Sequence, residues 1–364
     1  MTHSFAEQLL RWWDQHGRHD LPWQQDVTPY RVWVSEIMLQ QTQVATVERY
    51  YGRFMQSFPD VATLAAATQD DVLHLWSGLG YYSRARNLYK TAQQVVTEHA
   101  GVFPETPQEL IDLPGIGRST AGAILALSHD QRHAILDGNA KRVLARYFAV
   151  EGWSGATANL KLLWQYAEDC TPADRAANYT QAIMDLGATV CTRSRPTCDE
   201  CPLAKGCLAL SQARVADIPA PKPKKAKPRR STVMVIAVNA EGDVLLQKRP
   251  ATGIWGGLWS FPELDRQEEV PAWCERRLQT APDEMEIWSV VPHSFSHYDL
   301  EMQPVKVRLT KQPAAVMDGD QWLWYNTSSP ANVGLAAPVA RMLQALQNQE
   351  NADSAFAERA EKKQ

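Results

Sequence analysis

Apolar positions in the first 217 residues recur with the period of α-helices. Val44, Val47, Tyr51, Phe54 and Phe58 alternate spacings of three and four, the stripe of one helix. Leu88, Ala92, Val95 and Val96 predict a second helix, and Val143, Leu144, Tyr147 and Phe148 a third. Phe103-Pro104, Leu113-Pro114-Gly115 and Asp137-Gly138 punctuate the joins. Residues 218–230 (IPAPKPKKAKPRR) break the pattern. Their prolines favour extended backbone and their cations repel one another, so they predict a linker. After it, Thr232 to Val238 reads as a β-strand, Asn239 to Asp243 as a turn, and Val244 to Gln247 as the returning strand. A second domain, α/β or rich in strands, is therefore expected from 231 to about 350. Residues 351–364 are polar and are expected to form a disordered tail.

Composition narrows the class. Of 364 residues, 45% are apolar and 21% charged, as in ordinary globular proteins. No apolar run reaches the ~20 residues of a membrane helix. The segment Met1 to Arg18 has no signal-peptide core, so a cytoplasmic setting is expected. Net charge is −4, and six cations without an acid concentrate in residues 218–230. Bulk charge gives no support for a nucleic-acid partner, so any DNA contact must be local.

Four cysteines, Cys191, Cys198, Cys201 and Cys207, follow a C-x6-C-x2-C-x5-C pattern that can close on one metal centre. A [4Fe–4S] cluster and a zinc ion both suit four thiolates. Cys170 and Cys274 read as core thiols. Leu113 to Gly117 (LPGIG) precedes an apolar helix beginning at Arg118-Ser119. Gly115 and Gly117 allow close approach of backbone to a ligand, and the helix start offers free N–H groups to phosphate. Glu36 lies in the apolar run VWVSEIML, where burial would raise its pKa toward that of a general acid. Asp137 taken alone reads as a helix cap or turn residue. Nothing local joins these two carboxylates, 101 positions apart.

Residues 29–210 resemble the adenine DNA glycosylases of the helix-hairpin-helix and endonuclease III superfamily. The likeness rests on SEIMLQQTQVATV from Ser35, GLGYYSRARNL from Gly78, LPGIGRSTAGAI from Leu113, LDGNAKRVL from Leu136, and the cysteine spacing. It implies an all-α core with a [4Fe–4S] loop: a six-helix barrel over 29–135, and a cluster domain from 1–28 with 136–217. It implies that Glu36 protonates a mispaired adenine at N7 and that Asp137 stabilises the sugar cation, as in two-carboxylate glycoside hydrolysis. Gln41, Thr42 and Tyr81 would probe the opened base stack. Trp23 and Gln181 would line the adenine pocket. Gly115, Gly117, Arg118 and Ser119 would grip the backbone, with a monovalent cation at the hairpin left open. Arg84 and Arg86 read as phosphate contacts.

Ser119 stands where relatives of the endonuclease III type carry a lysine nucleophile. A serine forms no Schiff base, so base removal without strong strand cleavage is expected. Residues 231–350 resemble a Nudix-type domain, through VLLQKRP from Val244 and GIWGGLWSFPE from Gly253. The metal-binding R-E-x-x-E-E-x-G helix is absent; LDRQEEVPAWCERR stands there, so Glu268 and Glu269 read as surface charges. The resemblance gives Phe295, Ser296 and His297 the reading of 8-oxoguanine. The expected partner is double-stranded DNA with adenine opposite 8-oxoguanine or guanine, with no membrane, bound by a monomer near the nucleoid. An endonuclease III-like glycosylase/lyase, a mismatch-binding scaffold and a Nudix hydrolase are the competing readings.

Overall fold

The computed structural model describes residues 2–223, 226–310 and 321–361. Lys224 and Lys225 of the expected linker, and the last three residues of the expected tail, lie outside them. By internal contacts the chain forms two units, Met1–Ala66 with Asn87–Lys224, and Ala67–Arg86 with Lys225–Gln364.

The helices up to the linker are α1 (Thr2–His16), α2 (Pro29–Leu39), α3 (Val44–Ser57), α4 (Val61–Ala66), α5 (Gln69–Leu75), α6 (Ser83–Glu98), α7 (Pro107–Asp112), α8 (Arg118–His129), α9 (Gly138–Tyr147), α10 (Thr157–Cys170), α11 (Ala176–Thr189) and α12 (Leu208–Ser211). The three predicted stripes are α3, α6 and α9. Val47, Tyr51, Phe54 and Phe58 are buried, whereas Val44 is half-buried beside a cavity.

In the first unit α11 packs on α9, α8 and α1. One core joins Phe5 and Leu9 of α1 to Val143 and Leu144 of α9, and to Ile183 and Leu186 of α11. Ile218 belongs to this core at 1% exposed, so the linker begins later than expected: apolar burial holds its first residue against the helices. The α2 helix is buried almost all round, through Tyr30, Val32, Trp33, Val34, Ser35, Ile37 and Met38. Thr28 caps it, accepting the Arg31 N–H at 3.2 Å, and Pro29 occupies its first turn.

The second unit carries a mixed sheet. Its strands are β1 (Arg229–Val238), β2 (Val244–Lys248), β3 (Trp259–Ser260), β4 (Glu263–Leu264), β5 (Glu284–Ile287), β6 (Val291–Ser294), β7 (Asp299–Arg308) and β8 (Trp322–Tyr325). Their order is β3-β2-β1-β7-β5, with β4 on β1, β6 on β7 and β8 on β2. The β1 and β7 strands run parallel, Val235 opposite Val305. The predicted turn joins β1 to β2, and β1 begins three residues before its predicted start. Val233, Val235 and Ala237 pack with Trp273, Cys274 and Leu278 of α13 (Val270–Leu278), while Met234 and Ile236 on the other face are buried too. Both faces being covered explains the unbroken apolar run TVMVIAV.

Helix α14 (Ala337–Glu361) runs through most of the stretch expected to be a disordered tail. Its residues after 337 include alanine, glutamate and glutamine without glycine, and proline only at Pro338, which favours helix. The segment Ala67–Arg86, expected within the N-terminal helical barrel, groups by internal contacts with the residues from Lys225 onward. It packs with the later residues: Lys248 pairs with Asp70 at 2.9 Å, the Tyr82 hydroxyl donates to the Leu335 carbonyl at 3.2 Å, and Arg86 donates to the Gly256 carbonyl at 2.7 Å.

Candidate active site

A cavity of about 390 Å³ in the first unit gathers residues from distant parts of the chain. Trp23, Glu36, Gln41, Thr42, Ser119, Asp137 and Gln181 line it, together with Arg18 and Asn139. Glu36 is the one carboxylate of a largely apolar helix, α2. Burial pushes its pKa up to about 8, and the neighbouring charge of Asp137 adds to the rise. It is therefore a carboxylic acid at neutral pH, able to donate a proton.

Asp137 caps α9, as its local sequence suggests, accepting the Ala140 N–H at 2.8 Å and the Asn139 N–H at 3.1 Å. Burial raises its pKa. The backbone N–H bonds, Arg142 and Lys141 oppose that rise and favour the anion. The cap and the carboxylate at the cavity are thus one residue. The segment leading to it is held by Ser119, whose Oγ accepts the Leu136 N–H at 3.0 Å. Close approach of this segment to α8 requires Gly122: a Cβ there would lie 2.6 Å from the Ala134 carbonyl oxygen.

Gln181 is 7% exposed, and Trp23 sits edge-on to Tyr51 with centroids 5.6 Å apart. Two residues without a role in the sequence analysis support this wall: Arg18 lines it and Asp185 lies behind it. Asp185, 1% exposed, bonds to Arg18 and to Gln181. An acid one turn after Gln181 in the apolar helix AANYTQAIMDLGAT was the available signal. Gln41 adopts φ +56, a left-handed conformation that costs energy and concentrates at functional sites.

The hairpin between α7 and α8 turns at Gly115, whose φ of +81 favours glycine. The Thr91 hydroxyl holds it by donating to the Pro114 carbonyl at 2.8 Å. Gly117 caps α8 with no side-chain bond and open space before its Cα. Arg118 lies over the Trp164 ring at 3.9 Å and pairs with Glu168.

Cys191 follows α11, Cys198 and Cys201 flank a short 3-10 turn, and Cys207 caps α12. Burial raises the pKa of Cys198, Cys201 and Cys207, and each also feels the Cys191 charge, so the four thiols converge. Arg146 donates to the Cys191 Sγ at 3.3 Å and to the Thr192 carbonyl at 2.7 Å. Among the described residues, no three His, Cys, Asp or Glu close on a single metal ion. Four converging thiols are a donor set that suits a metal centre.

In the second unit, a cavity of about 420 Å³ brings Tyr81, Tyr82 and Arg86 together with Trp255, His293, Phe295, Ser296 and His297. The last three form the turn between β6 and β7, closed by the Phe295 N–H to the Tyr298 carbonyl at 2.9 Å. Phe295 packs against Trp255 at 5.3 Å and His293 at 4.5 Å, while Ser296 and His297 are exposed. Tyr81 is 50% exposed with φ +47. Arg84, expected as a phosphate contact, points inward instead. At 8% exposed, it donates to the carbonyls of Leu79 and Gly80, both at 3.2 Å, and braces the turn that carries Tyr81. Arg86 is likewise turned inward, on the Gly256 carbonyl. Glu268 and Glu269 are exposed just before α13.

Comparison with known proteins gives the family. Residues 34–168 match the model of the HhH-GPD superfamily base excision DNA repair proteins, and residues 233–345 match the NUDIX domain model. A thermostable thymine-DNA glycosylase structure superposes with a TM-score of 0.53 and 27% identity, covering 58% of this chain and 97% of that one. The adenine DNA glycosylase of Buchnera aphidicola from Acyrthosiphon pisum is 38% identical over 93% of this chain and 97% of its own. That of Mus musculus is 35% identical over 92% of this chain and 76% of its own. The chain belongs to the adenine DNA glycosylases.

Proposed function

We propose that this glycosylase removes adenine mispaired with 8-oxoguanine, or with guanine, from double-stranded DNA by hydrolysis, without strong strand cleavage. The observation that carries the reading is the meeting of a neutral Glu36 with Asp137 on one cavity. Glu36 protonates the adenine at N7. The C1′–N9 bond breaks with its electron pair passing to the base, and the Asp137 carboxylate stabilises the sugar cation. Water adds to C1′, and the carboxylate left on Glu36 accepts its proton. Trp23 and Gln181 hold the extruded base, and Gln41 and Thr42 probe the stack it leaves. Ser119 offers a hydroxyl where a lyase would need an amine.

Gly115, Gly117 and the first turn of α8 bind backbone phosphate, and Arg118 supplies charge beside them. The four cysteines hold a [4Fe–4S] cluster that pins the loop after α11. Holoprotein purified under nitrogen is expected to carry about four irons per chain, the cluster count, with the absorption of an iron–sulfur protein. Zinc without iron would defeat this assignment.

Residues 231–350 read the base opposite the adenine. Ser296 is exposed and offers a hydroxyl to the altered edge of 8-oxoguanine, while Phe295 and Tyr81 provide aromatic faces for the opened stack. Single-turnover release of adenine opposite 8-oxoguanine and opposite guanine tests both parts. Wild type is expected to favour 8-oxoguanine. Ser296→Ala should cut that preference by roughly tenfold, one hydrogen bond's worth, with adenine release continuing. Equal preference in the two proteins would remove Ser296 from the reading.

A further inference from the structure

The geometry points to Asp185 as the positioning residue that makes the base cavity select a 6-amino over a 6-oxo purine. The inference rests on that cavity being the adenine pocket. Asp185 is 1% exposed and receives donors only: Trp13 Nε1 at 3.2 Å, the Arg18 backbone N–H at 2.9 Å, Arg18 Nε at 3.0 Å and Nη2 at 2.6 Å, and Gln181 Nε2 at 2.9 Å. A carboxylate paired with Arg18 and ringed by donors acts as an acceptor, so it fixes which way the Gln181 amide faces. Nε2 is turned to Asp185, which leaves Oε1 for the cavity that Gln181 lines.

An oxygen there accepts from the exocyclic amine of adenine. A 6-oxo purine brings a second acceptor to the same place, and two facing acceptors leave both without a proton. The α11 helix fixes the pair, because residues four apart share one face. Asp185 touches no substrate; it acts through Gln181.

Asp185→Asn tests this. The new amide can donate as well as accept, so Gln181 is free to turn Nε2 toward the cavity. The readout is the ratio of single-turnover release of adenine to that of hypoxanthine, each opposite the same base. Asp185→Asn is expected to lower the ratio roughly tenfold, one hydrogen bond's worth. Asp185→Glu, still an acceptor only, should keep it nearer the wild-type value. In a Gln181→Leu background, Asp185→Asn should change the ratio no further.

An unchanged ratio in Asp185→Asn overturns the inference. So does an equal change without the Gln181 amide, which would place the effect on Arg18. If Asp185→Asn does not fold, hydrogen exchange of the nitrogen-15-labelled Gln181 side-chain amide in wild type decides instead. Slow exchange is expected, and fast exchange overturns the inference. Wild type that releases no adenine overturns the pocket assignment beneath it.

Discussion

Glu36→Gln should bind duplex DNA containing an adenine mispair and release almost no base, with the single-turnover rate lower by about 10³-fold, within the range of general acid catalysis. Glutamine fills the same space in α2 but has no acidic proton to give. The wild-type pH profile supplies a second check. Burial first, then the charge of Asp137, pushes the Glu36 pKa up to about 8. The donating form is therefore present below pH 8 and lost as pH rises through it. The rate should be level near neutrality and fall tenfold per pH unit above about 8. An ordinary carboxylic acid, with a pKa near 4.5, would already be ionised at pH 6. A rate that declines from pH 5 upward would rule out the raised Glu36 pKa, and a wild-type rate in Glu36→Gln would rule out Glu36 as the acid.

Asp137→Asn should lose a similar factor, about 10²–10³-fold, the usual cost of removing an electrostatic partner of the transition state. The variant separates two roles that one residue combines. Asparagine caps helices about as well as aspartate, so α9 keeps its start and the melting temperature should stay close to wild type. The neutral amide cannot stabilise a sugar cation. It also withdraws the negative charge that helps raise the Glu36 pKa, so the alkaline limb of any residual activity should move to lower pH. Loss of activity together with a large loss of stability would assign Asp137 to the cap alone. An unmoved alkaline limb would mean that the carboxylates do not interact.

The neighbourhood of these residues shows why parts of the site can be read from sequence. The α3 stripe, the LPGIG turn and the β1 run are patterns within about fifteen residues, and spacing along one element sets which side chains share a face. The cysteines are nearly as local, and their convergence needs only the loop that follows α11. Arg84 shows the opposite. Its sequence is that of a solvated helix cation, yet burial turns it onto the carbonyls of Leu79 and Gly80. Asp185 likewise gives one weak signal, an acid in an apolar helix, and its partners Trp13 and Arg18 lie more than 160 positions away.

By itself, then, the sequence determined the helical and the strand-rich part of the chain, several of their elements, the glycine turn before α8 and the cysteine set, because each is written in short-range spacing or residue type. Tertiary structure alone decided that Glu36 and Asp137 share a cavity, that Gly122 lets the Asp137 segment approach α8, and that Ala67–Arg86 packs with the residues after the linker. Those outcomes depend on which buried surfaces meet and which polar groups find partners across long stretches of chain. No local period carries that information.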